Sequence, residues 1–108
     1  MGNYTSRLTW EPLRSINSAT FTGSYQALGT PLVFPSYISK LVNNSTVLVT
    51  VSTDGVTDMD VAPANSFWLY DEDKGEQYQM LPEGTQIYVK GSAGVGFVYF
   101  VSQYIYQN

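Results

Sequence analysis

The stretch VLVTVSTDGVTDMDVAPANSFWLYD, residues 47–71, decides the fold class of this chain. Residues 47–52 place a valine at every second position, and β-branched residues at a period of two are a strong local signal for a strand. Asp54-Gly55 is a favoured two-residue hairpin turn, because both of its central positions need positive φ. Residues 66–70, SFWLY, predict a further strand with apolar side chains on both faces. The stretch predicts antiparallel β-structure and contains no catalytic motif.

Strand patterns continue on both sides of this stretch. The candidates are residues 20–28, 37–42, 85–90 and 96–106, together with a return strand at 56–61. Asn43-Asn44-Ser45 is expected to be a turn, and Gly91–Gly94 is expected to be a hairpin turn. Seven or eight short strands at intervals of about ten residues, with no helical segment, predict an all-β fold. The specific expectation is a single antiparallel β-sandwich of immunoglobulin-like or jelly-roll type.

The N-terminal residues follow no clean period. Residues 1–18 are predicted to be an extended arm, and residues 19–108 the sandwich domain. Pro12 disfavours helical geometry at Glu11. An arm that contains Trp10 is expected to pack either on its own sandwich or on a neighbouring subunit, and the sequence leaves both possibilities open.

Composition excludes several classes of function. The chain has 108 residues, which suits one domain, and it contains neither cysteine nor histidine. Disulfides, thiolate metal sites and the serine-histidine or cysteine-histidine nucleophile systems cannot be built from it. No enzymatic activity and no cofactor are therefore expected.

Charge argues against two kinds of partner. Charged residues make up 13% of the chain, the net charge is −4, and the five basic residues are scattered rather than clustered. Nucleic-acid binding needs a basic patch, so it is not expected. No apolar run approaches the roughly 18 residues of a membrane-spanning helix.

Two local patterns have a chemical interpretation that their context does not support. Asp54, Asp58 and Asp60 could supply oxygen ligands to calcium, but they lack EF-hand spacing. Asp54 is better explained by turn geometry, and Asp58 and Asp60 are better explained by solvation of an outer strand face. Gly91–Gly96 offers G-x-x-G-x-G, yet a strand pattern follows it instead of the helix that a phosphate site requires. Paired carboxylates can also hydrolyse glycosides, but loops this short leave little room for a substrate cleft.

Aromatic residues give the best indication of a partner. They make up 15% of the chain, and nine of them are tyrosines. The strands at 66–70 and 96–106 are apolar on both faces, while a sandwich buries only one, so the second face is expected to contact another subunit. The predicted contact residues are Trp10, Leu13, Trp68, Tyr70, Val98, Phe100 and Tyr104. An alternative is a sugar-binding platform made by outward aromatics, for which Tyr70, Tyr78, Tyr88 and Tyr104 are the candidates.

Three runs of sequence resemble small β-sandwich virion proteins of tailed bacteriophages. They are TGSYQALGTPL at 22–32, ISKLVNNSTVLVTVSTDGVTDMDVAPANSFWLYD at 38–71 and LPEGTQIYVKGSAGVGFVYFVSQY at 81–104. The resemblance implies a structural role in the virion, with partners that are other virion proteins and copies of the chain itself. It marks fold positions and transfers no functional residue.

The resemblance leads to a specific expectation about function. The chain is expected to be a non-enzymatic, head-associated decoration or cement protein that binds capsid subunits, with residues 1–17 lacing onto them. A neck, collar or tail-fibre component is the alternative within this class. A carbohydrate-binding or host-adhesion module is the alternative from another class.

Overall fold

Short β-strands joined by turns build the whole of the described chain. The computed structural model describes residues 6–71 and 81–107, with the backbone alone at 6–8, 68, 70, 71 and 105–107. Its strands are β1 (Ser6–Trp10), β2 (Arg14–Asn17), β3 (Gln26–Ala27), β4 (Ile38–Ser45), β5 (Val49–Ser52), β6 (Asp60–Ala62), β7 (Ser66–Asp71), β8 (Tyr88–Lys90) and β9 (Gly96–Gln107). One turn of 3-10 helix, Ser18–Thr20, follows β2.

The strands form two sheets whose inner faces enclose one core. The five-stranded sheet has the order β1-β9-β4-β7, with β2 also paired to β9, and the four-stranded sheet has the order β3-β8-β5-β6. Every strand pairing in both sheets is antiparallel. The predicted single β-sandwich is confirmed.

The core draws on both sheets. Val49 and Val51 of β5 and Val89 of β8 meet Leu41 of β4 and Phe100 of β9, and all five are buried. The period-two pattern therefore assigned the inward side of β5 and β8 correctly. Transfer of such side chains out of water, at about 1.5–3 kcal/mol each, is the main force that holds the two sheets together.

Several predicted turns differ from those in the structure. β4 continues through Ser45, so the turn expected at Asn43-Asn44-Ser45 is wrong. Gly55 has φ 77°, but Asp54 does not have positive φ, and the seven residues 53–59 separate β5 from β6, so the two-residue hairpin is also wrong. The Gly91–Gly94 turn joins β8 of one sheet to β9 of the other, which makes it a crossover and not a hairpin.

The described part of the N-terminal segment lies on the chain's own sheet. β1 pairs with β9 from Ser6↔Gln107 to Trp10↔Gln103, and β2 pairs with β9 from Arg14↔Phe100 to Asn17↔Phe97. The segment is extended, as expected for an arm, and in the structure it completes one edge of the five-stranded sheet.

A buried ion pair fastens this segment at the bend between β1 and β2. Arg14 Nη2 lies 2.8 Å from Glu11 Oε1, and both side chains are almost fully shielded from solvent. Arg14 Nε also donates to the carbonyl of Thr30 at 2.7 Å. The Glu11 carboxylate accepts hydrogen bonds from the backbone amides of Val33 and Phe34. These contacts tie the bend to the loop between β3 and β4, so each buried charge is paired and hydrogen-bonded.

Candidate functional site

The outer side of the five-stranded sheet carries a continuous set of apolar residues. Directly opposed residues on neighbouring antiparallel strands share a face of the sheet. Val42 lies opposite Phe67 on one side and Tyr99 on the other, and Lys40 lies opposite Leu69 and Val101 in the same way. The set, called the apolar face below, comprises Ile38, Val42, Phe67, Leu69, Phe97, Tyr99 and Val101.

The largest members of the apolar face are open to solvent. Phe67 is 66% exposed, Leu69 51% and Phe97 41%. The rings of Phe97 and Tyr99 stack with centroids 6.1 Å apart and an interplanar angle of 22°. Three strands about 4.8 Å apart and about 20 Å long give this face an area on the order of 300 Å². Exposed apolar patches of several hundred Å² typically mark interaction sites, whereas isolated exposed apolar residues do not.

A groove and a single cation add shape and charge to this surface. The groove has a volume of about 210 Å³ and runs between Phe67 and Tyr99, with Asn44 and Asn65 at its polar end. Lys40, half-buried at the centre of β4, is the charged residue among the described side chains of the face. A partner that covers the face therefore needs an apolar surface and an acceptor for one ammonium group.

The inner side of β4 can hold buried polar side chains because they form hydrogen bonds with one another and with nearby backbone carbonyls. Asn43 is fully buried, and its Nδ2 donates to the carbonyls of Val47 and Ala62 at 2.8 Å each. The Ser45 hydroxyl donates to Asn43 Oδ1 at 2.5 Å. Since Ala62 belongs to the four-stranded sheet, this amide links the two sheets at one end of the core.

A second polar cluster lies at the other end of β4. The Ser36 hydroxyl is 2.6 Å from that of Ser39 and accepts from the Ser102 hydroxyl at 2.9 Å. All three serines are buried. The two clusters together explain how β4 can turn Ser39, Asn43 and Ser45 inward beside Leu41 while Ile38 and Val42 lie outside.

The outer side of the four-stranded sheet is chemically different. Lys90 Nζ lies 3.0 Å from Asp58 Oδ1 and 4.7 Å from the ring centroid of Tyr25. The Tyr25 hydroxyl donates to Asp58 Oδ1 at 2.5 Å. The hydrogen bonds from Tyr25 and Lys90 lower the pKa of Asp58, while partial burial and that carboxylate raise the pKa of Tyr25 to about 12. Val61, which is 49% exposed, shares this side of the sheet with Lys90, so this face mixes an ion pair with apolar surface, in contrast to the apolar face.

Asp54 organises the loop between β5 and β6. Its carboxylate accepts hydrogen bonds from the amides of Val56 and Thr57, each at 2.8 Å, and from the Ser52 hydroxyl at 2.7 Å. The bond from the Thr57 amide is the largest cause that lowers the pKa of Asp54, followed by the bond from Ser52. The predicted role of Asp54 in turn geometry is supported, although the turn is longer than expected.

These shifts do not favour proton transfer. A general acid or base works best with a pKa near the operating pH. The pKa of Asp54 and Asp58 moves down and that of Tyr25 moves up, so all three move away from neutrality. Within residues 6–71 and 81–107, no group of three or more metal-ligating side chains is found. No helix in that part of the chain is long and apolar enough to span a membrane.

The structure separates the predicted contact residues into three groups. Val98 and Phe100 have no exposed surface, since they point into the core beneath β9, so their prediction as contact residues is wrong. Trp10 and Leu13 are 66% and 61% exposed and are available to a partner. Tyr104 stacks on Phe34 with ring centroids 4.0 Å apart.

The other two predicted contact residues are described only in part. The backbone of Trp68 and Tyr70 lies in β7, opposite Leu41 and Ser39 respectively. Their side chains lie outside the described part of the structure, so their role stays a prediction.

The exposed contact candidates that sequence analysis did not name are the sequence neighbours of residues that it did name. Phe97 and Leu69 lie one position away from Val98 and Tyr70, on the outer side of the same strands. A period of two separates the two faces of a strand but does not say which of them is the inner one. The glycine at position 96 is a sequence signal for how β9 begins. Its φ is 110°, and a Cβ at this position would collide with Asn44 O of β4, so the start of β9 against β4 requires glycine.

The two described tyrosines of the predicted sugar-binding platform are only partly exposed to solvent. Tyr104 is half-buried and stacked on Phe34. Tyr88 is half-buried, and its ring lies within van der Waals reach of a Cβ placed on Gly55. The side chains of Tyr70 and Tyr78 lie outside the described residues. Tyr88 and Tyr104 therefore pack against the chain's own loops.

Comparison with known proteins shows a shared fold and no family. No protein-family model and no curated protein matches the chain. Among solved structures, it is similar to a protein of the Bacillus endospore appendages, which are disulfide-linked pili, with TM-score 0.52 and 11% identity over 99% of this chain and 94% of that one. It is also similar to the Dit protein (gp 19.1) of phage SPP1, a hub of the adsorption apparatus, with TM-score 0.44 and 11% identity over 90% of this chain and 49% of that one. The chain thus spans about half the length of Dit, and at these identities the likeness concerns the fold alone.

Proposed function

We propose that this chain is a non-enzymatic structural subunit of a tailed-phage virion that binds its partners through the apolar face. The observation that carries this proposal is the outer side of the five-stranded sheet, where Phe67 and Leu69 of β7 and Phe97 of β9 are exposed on the same face, on either side of β4. A sandwich does not need an apolar outer face in order to fold. An apolar face that serves no folding role is best explained by a partner that covers it.

Composition supports an assembly role. The chain has few charges and many tyrosines, and tyrosine supplies large contact areas at a low cost in conformational entropy. The groups with perturbed pKa values serve loop geometry and not proton transfer. Since the chain has no cysteine, an assembly built from it is held by non-covalent contacts and not by the disulfides of the endospore pili.

Within the virion, we place the chain on the head as a decoration protein. Support comes from the resemblance in the three sequence runs at 22–32, 38–71 and 81–104. A decoration protein attaches by one face to a surface that is already assembled, and an apolar face opposite a face that contains an ion pair suits this arrangement. A neck, collar or tail-fibre position is the alternative, and it is an outcome of the same experiment.

The experiment measures binding to separated parts of the particle. Heads, tails and intact particles of the phage that carries this chain are incubated with the purified protein and sedimented, and the bound protein is quantified. Wild-type protein is expected to sediment with heads. Phe97→Ser is expected to weaken binding by about tenfold or more, because it removes a large exposed aromatic contact from the face.

Val61→Ser is the matched control. Val61 is 49% exposed, close to the 41% of Phe97, but it lies on β6 of the other sheet. It is expected to bind like wild type. Binding to tails alone would move the chain to the tail, and a monomer that binds no part of the particle would refute the proposal. Binding to glycans would favour the adhesion alternative if the two variants lost it equally or if neither variant lost it.

A further inference from the structure

The four sheet edges of the described chain are not equally protected against pairing with another strand. β3 has two residues and β6 has three, and short edges offer little backbone to a partner. The edge formed by β1 and β2 is interrupted at residues 11–13, which include Pro12. β7 is the exception, with six continuous residues, SFWLYD, that contain neither proline nor lysine.

The direction of the backbone groups in β7 follows from the hydrogen bonds around β4. Thr46 N donates to Val95 O on the β9 side, whereas Ser45 O accepts from Asn65 N on the β7 side. Alternate residues of a strand direct their N–H and C=O groups to opposite neighbours. Odd-numbered residues of β4 therefore bond to β7.

The register between β4 and β7 completes this assignment. Leu41 of β4 is opposite Trp68, and Ser39 is opposite Tyr70, so the even-numbered residues of β7 bond to β4. The amide and carbonyl groups of Phe67 and Leu69 consequently point away from the sheet. Along this edge, the described residues offer a row of donors and acceptors beside two exposed apolar side chains.

We propose that β7 pairs antiparallel with β7 of a second copy of this chain, across a two-fold axis at Trp68. In this register Phe67 lies opposite Leu69 of the copy, and each such pair exchanges two backbone hydrogen bonds. The two five-stranded sheets become one continuous sheet, and the apolar face extends across the seam.

Charge and length favour a second copy over a different strand. The chain carries a net charge of −4, so contact between two copies is least opposed where the strand that pairs brings no acids together. Residues 66–70 contain no charged side chain. In the proposed register Asp71 lies opposite Asn65 of the copy, so the two acids are at opposite ends of the seam. Residues 66–70 of one copy lie opposite residues 70–66 of the other, so five residues of each strand pair in a self-complementary way, as expected for an isologous interface.

The inference names a partner within the assembly role proposed above, and it rests on that role. Its test is amide hydrogen exchange of the isolated protein, measured residue by residue by NMR over a wide range of protein concentration. The amides of Trp68 and Tyr70 bond to β4 and are expected to be protected at every concentration. Those of Phe67 and Leu69 are expected to exchange freely in the monomer and to slow by about tenfold or more as the dimer forms.

Two variants separate the backbone from the side chain. Leu69→Pro removes an outward amide and leaves the ladder to β4 intact, so it is expected to remain monomeric. Leu69→Ala keeps the amide and is expected to dimerise. Equal association of both variants would overturn the proposal. So would protection of the Phe67 and Leu69 amides from exchange that does not change with protein concentration or that appears only when particles are added. Absence of this protection at all concentrations would overturn it too. Such a failure leaves the particle-binding test through Phe97 unaffected.

Discussion

Removal of the Arg14 charge is expected to destabilise the chain more than any surface substitution. Arg14 and Glu11 form a buried pair in which the guanidinium also bonds to the carbonyls of Thr30 and Pro31. Arg14→Met keeps most of the side-chain stem, which packs beside Gly29. It leaves the Glu11 carboxylate buried without its cation.

The magnitude follows from the cost of an unpaired buried charge. Loss of one partner from a buried ion pair typically costs about 3–5 kcal/mol. A domain of this size has a stability of about 5–15 kcal/mol, so roughly a fifth or more of it is at stake. Glu11→Gln is milder, at about 1–3 kcal/mol, because the amide oxygen still accepts from the backbone of Val33 or Phe34. The double variant is expected to cost less than the sum of the two, since the interaction can be lost only once.

Urea unfolding of the dilute protein, followed by circular dichroism, provides the measurement. With an m-value of about 2 kcal/mol/M, Arg14→Met should lower the midpoint by about 2 M of urea. Lys90→Met is the matched control, because the Lys90–Asp58 pair has side chains 31% and 60% exposed and is worth at most about 1 kcal/mol. If Arg14→Met cost no more than Lys90→Met, the bend between β1 and β2 would not be held by a buried pair.

Four further predictions concern the same framework. Deletion of residues 1–17 removes both strands paired with one side of β9 and should abolish cooperative unfolding; a truncated chain that unfolds cooperatively in urea would contradict this. Asn43→Ala leaves buried carbonyls without their donor and should cost about 1–3 kcal/mol by the same assay, with a cost near zero as the contrary result. Gly96→Ala should destabilise far more than Gly84→Ala, because both have positive φ but only the first would bring a Cβ against the backbone of β4; equal melting temperatures would refute this. Asp54 has a lowered pKa, so its contribution is present above the ordinary carboxyl pKa of about 4 and is lost as the pH falls through the folded-state pKa. The stability lost in Asp54→Asn should therefore shrink on acidification, and a pH-independent loss would contradict this.

The parts of the fold that could be predicted from sequence are those that depend on local alternation. β5 and β8 carry their valines inward, as the period-two pattern indicated, because each strand has one plainly more apolar face. The sandwich as a whole follows from many such strands separated by turn residues. Pairing across the sheets does not follow, since it depends on contacts between segments far apart in sequence.

β4 shows why the inner face could not be assigned from polarity. Its inward residues include Ser39, Asn43 and Ser45, while Ile38 and Val42 lie on the outer side. The inward arrangement is stable because these polar groups bond to one another and to groups outside β4, such as the carbonyl of Ala62 and, through Ser36, the Ser102 hydroxyl. Ser36 and Ser102 are 66 positions apart, so the sequence near β4 does not reveal this partner.

The two-residue hairpin predicted at Asp54-Gly55 does not form because a side chain supplies the backbone amides with a different hydrogen-bond partner. The dipeptide favours a two-residue hairpin only when the flanking residues pair immediately. Here the Asp54 carboxylate binds the amides of Val56 and Thr57 and holds them in a loop instead. A side chain that accepts two backbone hydrogen bonds competes directly with the strand ladder.

The two sides of β9 allow stability and assembly to be separated. Phe100 is buried at the centre of the core, whereas Phe97 lies on the apolar face and contacts Tyr99. Burial of Phe100 is part of the folding free energy, and its loss leaves a cavity worth about 3–5 kcal/mol. Exposure of Phe97 contributes little to folding, so its apolar character calls for another explanation. Because β1 and β2 pair with the chain's own β9, the described N-terminal segment is already engaged within the molecule, and the attachment proposed above uses the outer side of the sheet that this segment completes.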